Sequence, residues 1–333
     1  MKLGICSMWG DSLDVFRNEV RLASDLGFDL VTVGDSPAGW HELHVSLTLA
    51  ALEAPRARLA PLVTSPFMRH PIVTTAALCS IDDLSGGRVA LGLATGGSTV
   101  MAIGRPPATQ SEIRAELAAL RGLFAGEPVE WNGAQVKAPR FARRIPIYYS
   151  AFGPKALALA GEQADGVILF AGERHLDGLH DRIAAVHRAA EAVGRDPAEI
   201  DIWAVSYASV RESRAQAIDD LKAFIVVNGM AMRTPAALAQ VPSQLRSKID
   251  ELHARYDPSE HVVVGGRNVA LMDELGLTEF LSGFDTFAGT VESATAMLGA
   301  LAAMGVSTFI AALPGHAAPL ETIKGLAQAR SAM

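Results

Sequence analysis

Residues 35 to 44 read Asp35-Ser36-Pro37-Ala38-Gly39-Trp40-His41-Glu42-Leu43-His44. Carboxylates, imidazoles and an indole crowded this closely can move protons, hold a metal or stack on a planar ligand. His41 and Glu42 are the candidates for proton transfer. His41 and His44 are three apart, one short of the spacing by which a helix presents two histidines to zinc, so no metal site is expected. Trp40 and His41 are expected to face a substrate; the plain alternative is a loop packed on a rim. A second stretch, Ser150-Ala151-Phe152-Gly153-Pro154-Lys155, carries a different chemistry. Gly153 lets backbone N–H groups approach a ligand, Pro154 presets a first helical turn, and Lys155 adds a positive charge, a pattern suited to an anion. An ordinary strand-to-helix turn has the same pattern. In a third stretch, Ala94-Thr95-Gly96-Gly97-Ser98, clustered small residues leave room for a ligand. Ala94 stands where a dinucleotide fingerprint needs its middle glycine, so a Rossmann reading is rejected. Cys6 reads as a small buried hydrophobe and His70, before Pro71, as a structural histidine.

These groups need a scaffold, and the hydrophobic pattern supplies one. Short apolar runs at Leu3–Cys6, Leu30–Val33, Leu59–Thr64, Val89–Leu93, Ile145–Tyr149, Val167–Phe170, Ile200–Ala208 and Ser307–Ala312 read as strands. Helical periodicity follows most of them, at Val15–Leu26, Val45–Leu52, Val73–Leu84, Ser111–Phe124, Pro154–Ala164, Asp177–Val193, Ser213–Val227 and from Leu320. Strands without polar alternation are buried on both faces, which marks a parallel sheet. Eight such units predict an α/β fold, a (β/α)8 TIM barrel, as one domain over residues 1–333. Glu127–Gly133 predicts a small hairpin, and about 228–279 a helical insertion between the seventh and eighth strands. The candidate groups then fall in the loops after strands, where barrel enzymes do chemistry.

Composition narrows the function. The 333 residues are 50% hydrophobic and carry a net charge of −7, so a large core is available and a nucleic-acid footprint is not. No apolar run is long enough to span a membrane, and the N-terminus lacks a basic leader. With only Cys6 and Cys79, the chain predicts a reducing cytoplasm rather than a disulfide framework.

Four stretches resemble the bacterial luciferase-like flavin oxidoreductases, above all the branch typified by methylenetetrahydromethanopterin reductase. They are Val31–Asp35, Val63–Pro71, Leu84–Arg88 leading into Leu91–Gly97, and Ile145–Tyr148 through Gly153–Leu157 to Ala160–Gly166. A fifth, Phe287–Glu292, matches the segment before the last helix–strand unit. The resemblance implies a flavin-type cofactor, with its phosphate on Phe152, Gly153, Pro154 and Lys155. It places the ribityl side on Thr95, Gly96, Gly97 and Ser98, and the ring beside Asp35, Leu62, Val63 and Thr64. A non-proline cis peptide is expected at Leu62–Val63. Many deazaflavin-using relatives have Asp-His where this chain has Asp35-Ser36. Gly97 and Glu173 stand where the family's sugar-phosphate dehydrogenases carry a carboxylate and a lysine, which disfavours such substrates. The expectation is therefore an oxidoreductase using reduced FMN as a monooxygenase on a small organic substrate, with a separate flavin reductase and a homo-oligomeric state. The alternative is a coenzyme F420-dependent reductase or dehydrogenase, and a third reading is a non-catalytic flavin-binding homologue.

Overall fold

The computed structural model describes residues 1–333 except Asp11, Glu173, Arg174, His175, Asp177, Thr234 and Pro314, and the side chains of Ser98, Pro235 and Ala236. Glu173 and the Ser98 side chain, both singled out above, thus lie outside the described residues. The chain forms two compact units: Met1–Leu169 with His180–Ala204 and Met304–Ile310, and Phe170–Leu179 with Val205–Ala303 and Ala311–Met333.

The strands are β1 (Lys2–Cys6), β2 (Leu30–Val33), β3 (Arg58–Pro61), β4 (Leu91–Leu93), β5 (Val129–Trp131), β6 (Ala134–Val136), β7 (Ile147–Ser150), β8 (Gly166–Phe170), β9 (Asp201–Val210), β10 (Thr286–Gly289) and β11 (Thr308–Ala312). Eight of them follow the order β3-β2-β1-β11-β9-β8-β7-β4. Parallel bridges Leu59↔Val89 and Thr64↔Leu93 join the two ends of that path. The result is the expected barrel, nearly closed. Its strands are short and almost wholly buried, β2 and β4 throughout. Each fully buried Val, Leu or Ile contributes about 1.5–3 kcal/mol, so these runs drive closure rather than edge pairing.

In the first unit the helices are α1 (Leu13–Asp25), α2 (Leu43–Glu53), α3 (Pro71–Ser85), α4 (Ser98–Ala102), α5 (Gln110–Phe124) and α6 (Pro154–Gln163), followed by Leu179–Ala192. Local chemistry sets their ends. Ser12 caps α1, and Thr109 with Glu112 forms a capping box on α5. His70 caps α3: its Nδ1 accepts from the Ile72 N–H at 3.2 Å, which bears out its structural reading. Gly86, at φ 74°, ends α3 in the left-handed conformation. Arg88 then fills the space below, donating to the carbonyls of Ala51, Ala54, Ala57 and Ser85. One guanidinium therefore satisfies carbonyls near the ends of both α2 and α3. The hairpin β5–β6 turns at Asn132-Gly133, both at positive φ, as its sequence predicts.

In the second unit the last part of β9 pairs in parallel with β10, Tyr207–Val210 against Thr286–Gly289. This ninth strand is not predicted, because Thr-Phe-Ala-Gly is short and has a single large apolar residue, too little to show as an apolar run. The region expected as an insertion is helical, at Pro235–Leu238, Ser243–Arg255, Arg267–Glu274 and Thr278–Leu281. Its expected start at 228 falls inside the helix Arg214–Ala231. Leu221, Ile225, Leu252, Met272 and Leu281 build the core here.

Candidate active site

The first unit brings Asp35, Thr64, Arg69, Glu42 and His44 into one hydrogen-bonded chain. Asp35 follows β2 by two residues and is 3% exposed. Arg69, from the loop after β3, grips its carboxylate with both terminal nitrogens, at 2.6 and 3.2 Å. The Thr64 hydroxyl donates to the same carboxylate at 2.6 Å. Thr99 adds a bond to the Asp35 carbonyl at 2.9 Å. Two-point pairing with a guanidinium fixes the orientation of the carboxylate as well as holding it. Arg69 also reaches Glu42 at 2.6 Å.

Glu42 is the N-cap of α2. Its side chain accepts from the backbone N–H of His44 at 2.7 Å and of Val45 at 2.9 Å. Its other oxygen faces the His44 Nδ1 at 3.1 Å. Burial alone raises the Glu42 pKa, but the Val45 N–H, His44 and Arg69 outweigh it and hold the carboxyl below its ordinary range. For His44, burial and the nearby Arg69 push the imidazole below its ordinary value. At neutral pH Glu42 is ionised and accepts only, so the neutral His44 must carry its proton on Nδ1. Nε2 is then a bare lone pair. It is screened from water and has no hydrogen-bond partner among the described residues.

The remaining candidates lie around this chain. Trp40 packs over Gly10, where an added Cβ would meet its ring at 3.3 Å. His41 packs against Trp9, ring centroids 4.1 Å apart and planes tilted by 31°, and its backbone N–H donates to the Trp9 carbonyl at 3.0 Å. The loops after β1 and β2 are thereby zipped together. His41 and His44 are thus engaged separately, one by Trp9 and one by Glu42. The Leu62–Val63 peptide is cis. Gly96, at φ 83°, could not carry a Cβ without meeting Val100 at 2.6 Å and Ser65 at 3.1 Å. Gly97 has open space around it. Thr95 accepts, through its carbonyl, the Ala108 N–H at 2.8 Å. Phe152, Gly153, Pro154 and Lys155 are exposed at the start of α6, which has no side-chain cap. Gly153 sits at φ −93°, with nothing within 4 Å of an added Cβ. Cys6 is buried as expected, its thiol pushed up to about 12 by burial.

Trp9 and Arg69 carry no role in the sequence reading. Arg69 lies inside a quoted motif, but its partners are 34 and 27 residues away, a distance no local pattern reveals. A groove of about 670 Å³ lies elsewhere, against the outer side of α3, lined by Ile72, Val73, Ala76 and Lys137–Phe141. It holds none of the groups just described.

A family model described as luciferase-like monooxygenase matches residues 1–308. The chain belongs to the luciferase-like family. It is 30% identical over 329 residues to a 5,10-methylenetetrahydromethanopterin reductase of Methanolobus tindarius, covering 94% of each chain. It is 30% identical over 217 residues to an F420-dependent glucose-6-phosphate dehydrogenase of Beutenbergia cavernae, covering 60% of this chain and 65% of that one. The structure of the F420-dependent tetrahydromethanopterin reductase of Methanopyrus kandleri superposes with a TM-score of 0.81 at 23% identity, over 98% of this chain and 97% of the other. The chain is therefore an oxidoreductase of a family that works with flavin or deazaflavin cofactors, built on the family's barrel. No helix among the described residues is long and apolar enough to cross a membrane.

Proposed function

We propose that this protein is a coenzyme F420-dependent reductase or dehydrogenase, moving hydride between the deazaflavin and a small organic substrate. One observation carries this reading: the identity to the Methanolobus tindarius reductase runs over 94% of both chains, and the tetrahydromethanopterin reductase of Methanopyrus kandleri, of the same fold, is F420-dependent. The F420-dependent dehydrogenase relative supports it independently. The preference therefore moves away from the FMNH2 monooxygenase expected from sequence, toward the alternative given beside it.

The residues present fit such a cofactor. The uncapped start of α6, with Gly153, Pro154 and Lys155 exposed, offers backbone donors and a positive charge to a phosphate. Gly96 and Gly97 keep side-chain bulk away from the β4 loop, beside Thr95 and Ser98. The Leu62–Val63 peptide is cis, and the resemblance assigns it and Thr64 to the ring side of the cofactor. Asp35 acts through Arg69, because its carboxylate is already filled by Arg69 and Thr64. When bound, the deazaflavin supplies a two-electron hydride acceptor or donor. The chain's own work is to place the substrate, with Trp40 and His41 on its side, and to hold a proton at a defined atom. Glu173 stands where the sugar-phosphate enzymes carry a lysine, and Gly97 where they carry a carboxylate, so we assign a substrate other than a sugar phosphate.

Ser36 supports the second reading, an FMNH2 monooxygenase, since that chemistry does without the histidine of the Asp-His pair. The two readings separate in one assay. Protein loaded with F420 is expected to reduce it anaerobically with a suitable donor. Consumption of oxygen with FMNH2, and none of this anaerobic reduction, would establish the second reading instead.

A further inference from the structure

We propose that the groove on the outer side of α3 binds a medium-chain carboxylate, its alkyl chain lying along α3 and its head on Lys137 and Arg140. The groove holds none of the residues assigned to the chemistry, so the proposal stands independently of the deazaflavin reading.

The two walls of the groove differ in kind. α3 presents Ile72, Val73, Ala76, Ala77 and Ser80, spaced so that they share one face of the helix. Val73 is 51% exposed. This wall is an uncharged, largely apolar surface that the rest of the chain leaves uncovered. The facing wall is the segment from Lys137 to Phe141. It brings Lys137 and Arg140 to the groove, both exposed and neither in an ion pair among the described residues. No acidic residue lines the groove. Two uncompensated cations call for an anion, and the wall opposite calls for that anion to carry a hydrocarbon. A carboxylate meets both cations, with one oxygen for the ammonium and one for the guanidinium. At about 1.5 Å per residue the wall from Ile72 to Ser80 is roughly 12 Å long, which sets the chain at medium length. The volume of about 670 Å³ falls in the range of small-molecule sites, about 300–1,000 Å³.

The groove is built without its ligand. Arg143, two residues past Phe141, donates to the Cys79 carbonyl at 3.1 Å and to the Asp83 carboxylate at 2.5 Å, both on α3. The Cys79 thiol donates to the Phe141 carbonyl at 3.6 Å, and the Arg143 backbone N–H to the Phe124 carbonyl at 2.7 Å. The cationic wall is thereby fastened to α3 and α5. Binding then has only the side chains of Lys137 and Arg140 to order, which lowers its entropic cost.

The test is isothermal titration calorimetry of the full chain with decanoate, which is expected to show one saturable site. Affinity is expected to rise about two- to fourfold for each methylene added from hexanoate to decanoate. Decanol and decyltrimethylammonium lack the anion and are expected to bind at least about tenfold more weakly. The double variant Lys137→Gln, Arg140→Gln is expected to lose at least about tenfold in decanoate affinity at an unchanged melting temperature, since neither side chain holds the fold. Val73→Asp places a like charge on the α3 wall at an exposed position and is expected to weaken decanoate binding to the same degree. Wild-type affinity in either variant, decanol binding as tight as decanoate binding, or no saturable binding overturns the proposal. Sedimentation velocity is run beside the titration. A dimer that Val73→Asp splits into monomers shows a second copy seated in the groove, and overturns the proposal as well.

Discussion

Arg69 is the residue on which the site most depends for its shape. Its guanidinium is 16% exposed and faces an Asp35 side chain that is 2% exposed. Arg69→Ala strands that carboxylate without its partner. Removing one member of a buried pair costs about 3–5 kcal/mol, so urea unfolding of Arg69→Ala should show a loss of that order. Arg69→Lys keeps the charge but not the two-point grip and should recover only part of it. Glu42 shows what sequence can and cannot tell at this scale. Its type marked it as a proton-transfer candidate. Its position as the N-cap was hidden, because periodicity began α2 at Val45 and the helix begins at Leu43. His44, Arg69 and Trp9 owe their roles to partners brought in from other loops, and tertiary contacts leave no periodic trace. Asp35 was legible only through a family motif, which gave its place and not its hydrogen bonds.

Elements were easier to read than residues, since apolar period and turn chemistry are local. The eight barrel strands, the Asn132-Gly133 hairpin and the glycine stop at Gly86 all follow from residue type. β10 did not, because four residues with a single large apolar side chain, Phe287, make no pattern and its pairing with β9 is a tertiary event. Two glycines allow a clean test of the loops. Gly96→Ala forces a Cβ onto a residue at φ 83° and within 2.6 Å of Val100. It should reshape the β4 loop and weaken F420 binding by at least about tenfold, or 1.4 kcal/mol, in fluorescence titration. Gly153→Ala meets open space at φ −93°, so its melting temperature should equal that of the wild type. Any loss of cofactor affinity in Gly153→Val is then a ligand contact rather than a folding defect. An unchanged affinity there would remove the phosphate from α6. Arg88→Ala is the matching test of scaffold. It frees carbonyls near the ends of α2 and α3 and should cost about 1–3 kcal/mol in chemical unfolding.

At the scale of the whole molecule, three buried groups give stability a pH dependence. Burial raises Glu19 to about 7, against which its bond from Ser7 at 2.5 Å works, and burial raises Glu116 to about 8. Both folded values exceed the ordinary 4.5, so folding favours the protonated acids. Their stabilisation is complete below pH 4.5 and is lost as pH rises through 7 and then 8. His316 runs the other way. Burial lowers it to about 4, so stability falls as pH drops from 6.5 through 4. Glu116→Gln should therefore raise the melting temperature at pH 8 clearly more than at pH 5. Equal effects at both values would contradict this account.

The central claim is that the site is built for a deazaflavin. Equilibrium titration of the purified protein with F420 and with FMN, under identical conditions, addresses it most directly. The account predicts saturable F420 binding at least about tenfold tighter than FMN binding, a gap of 1.4 kcal/mol. Tighter binding of FMN, or no binding of F420, would contradict it.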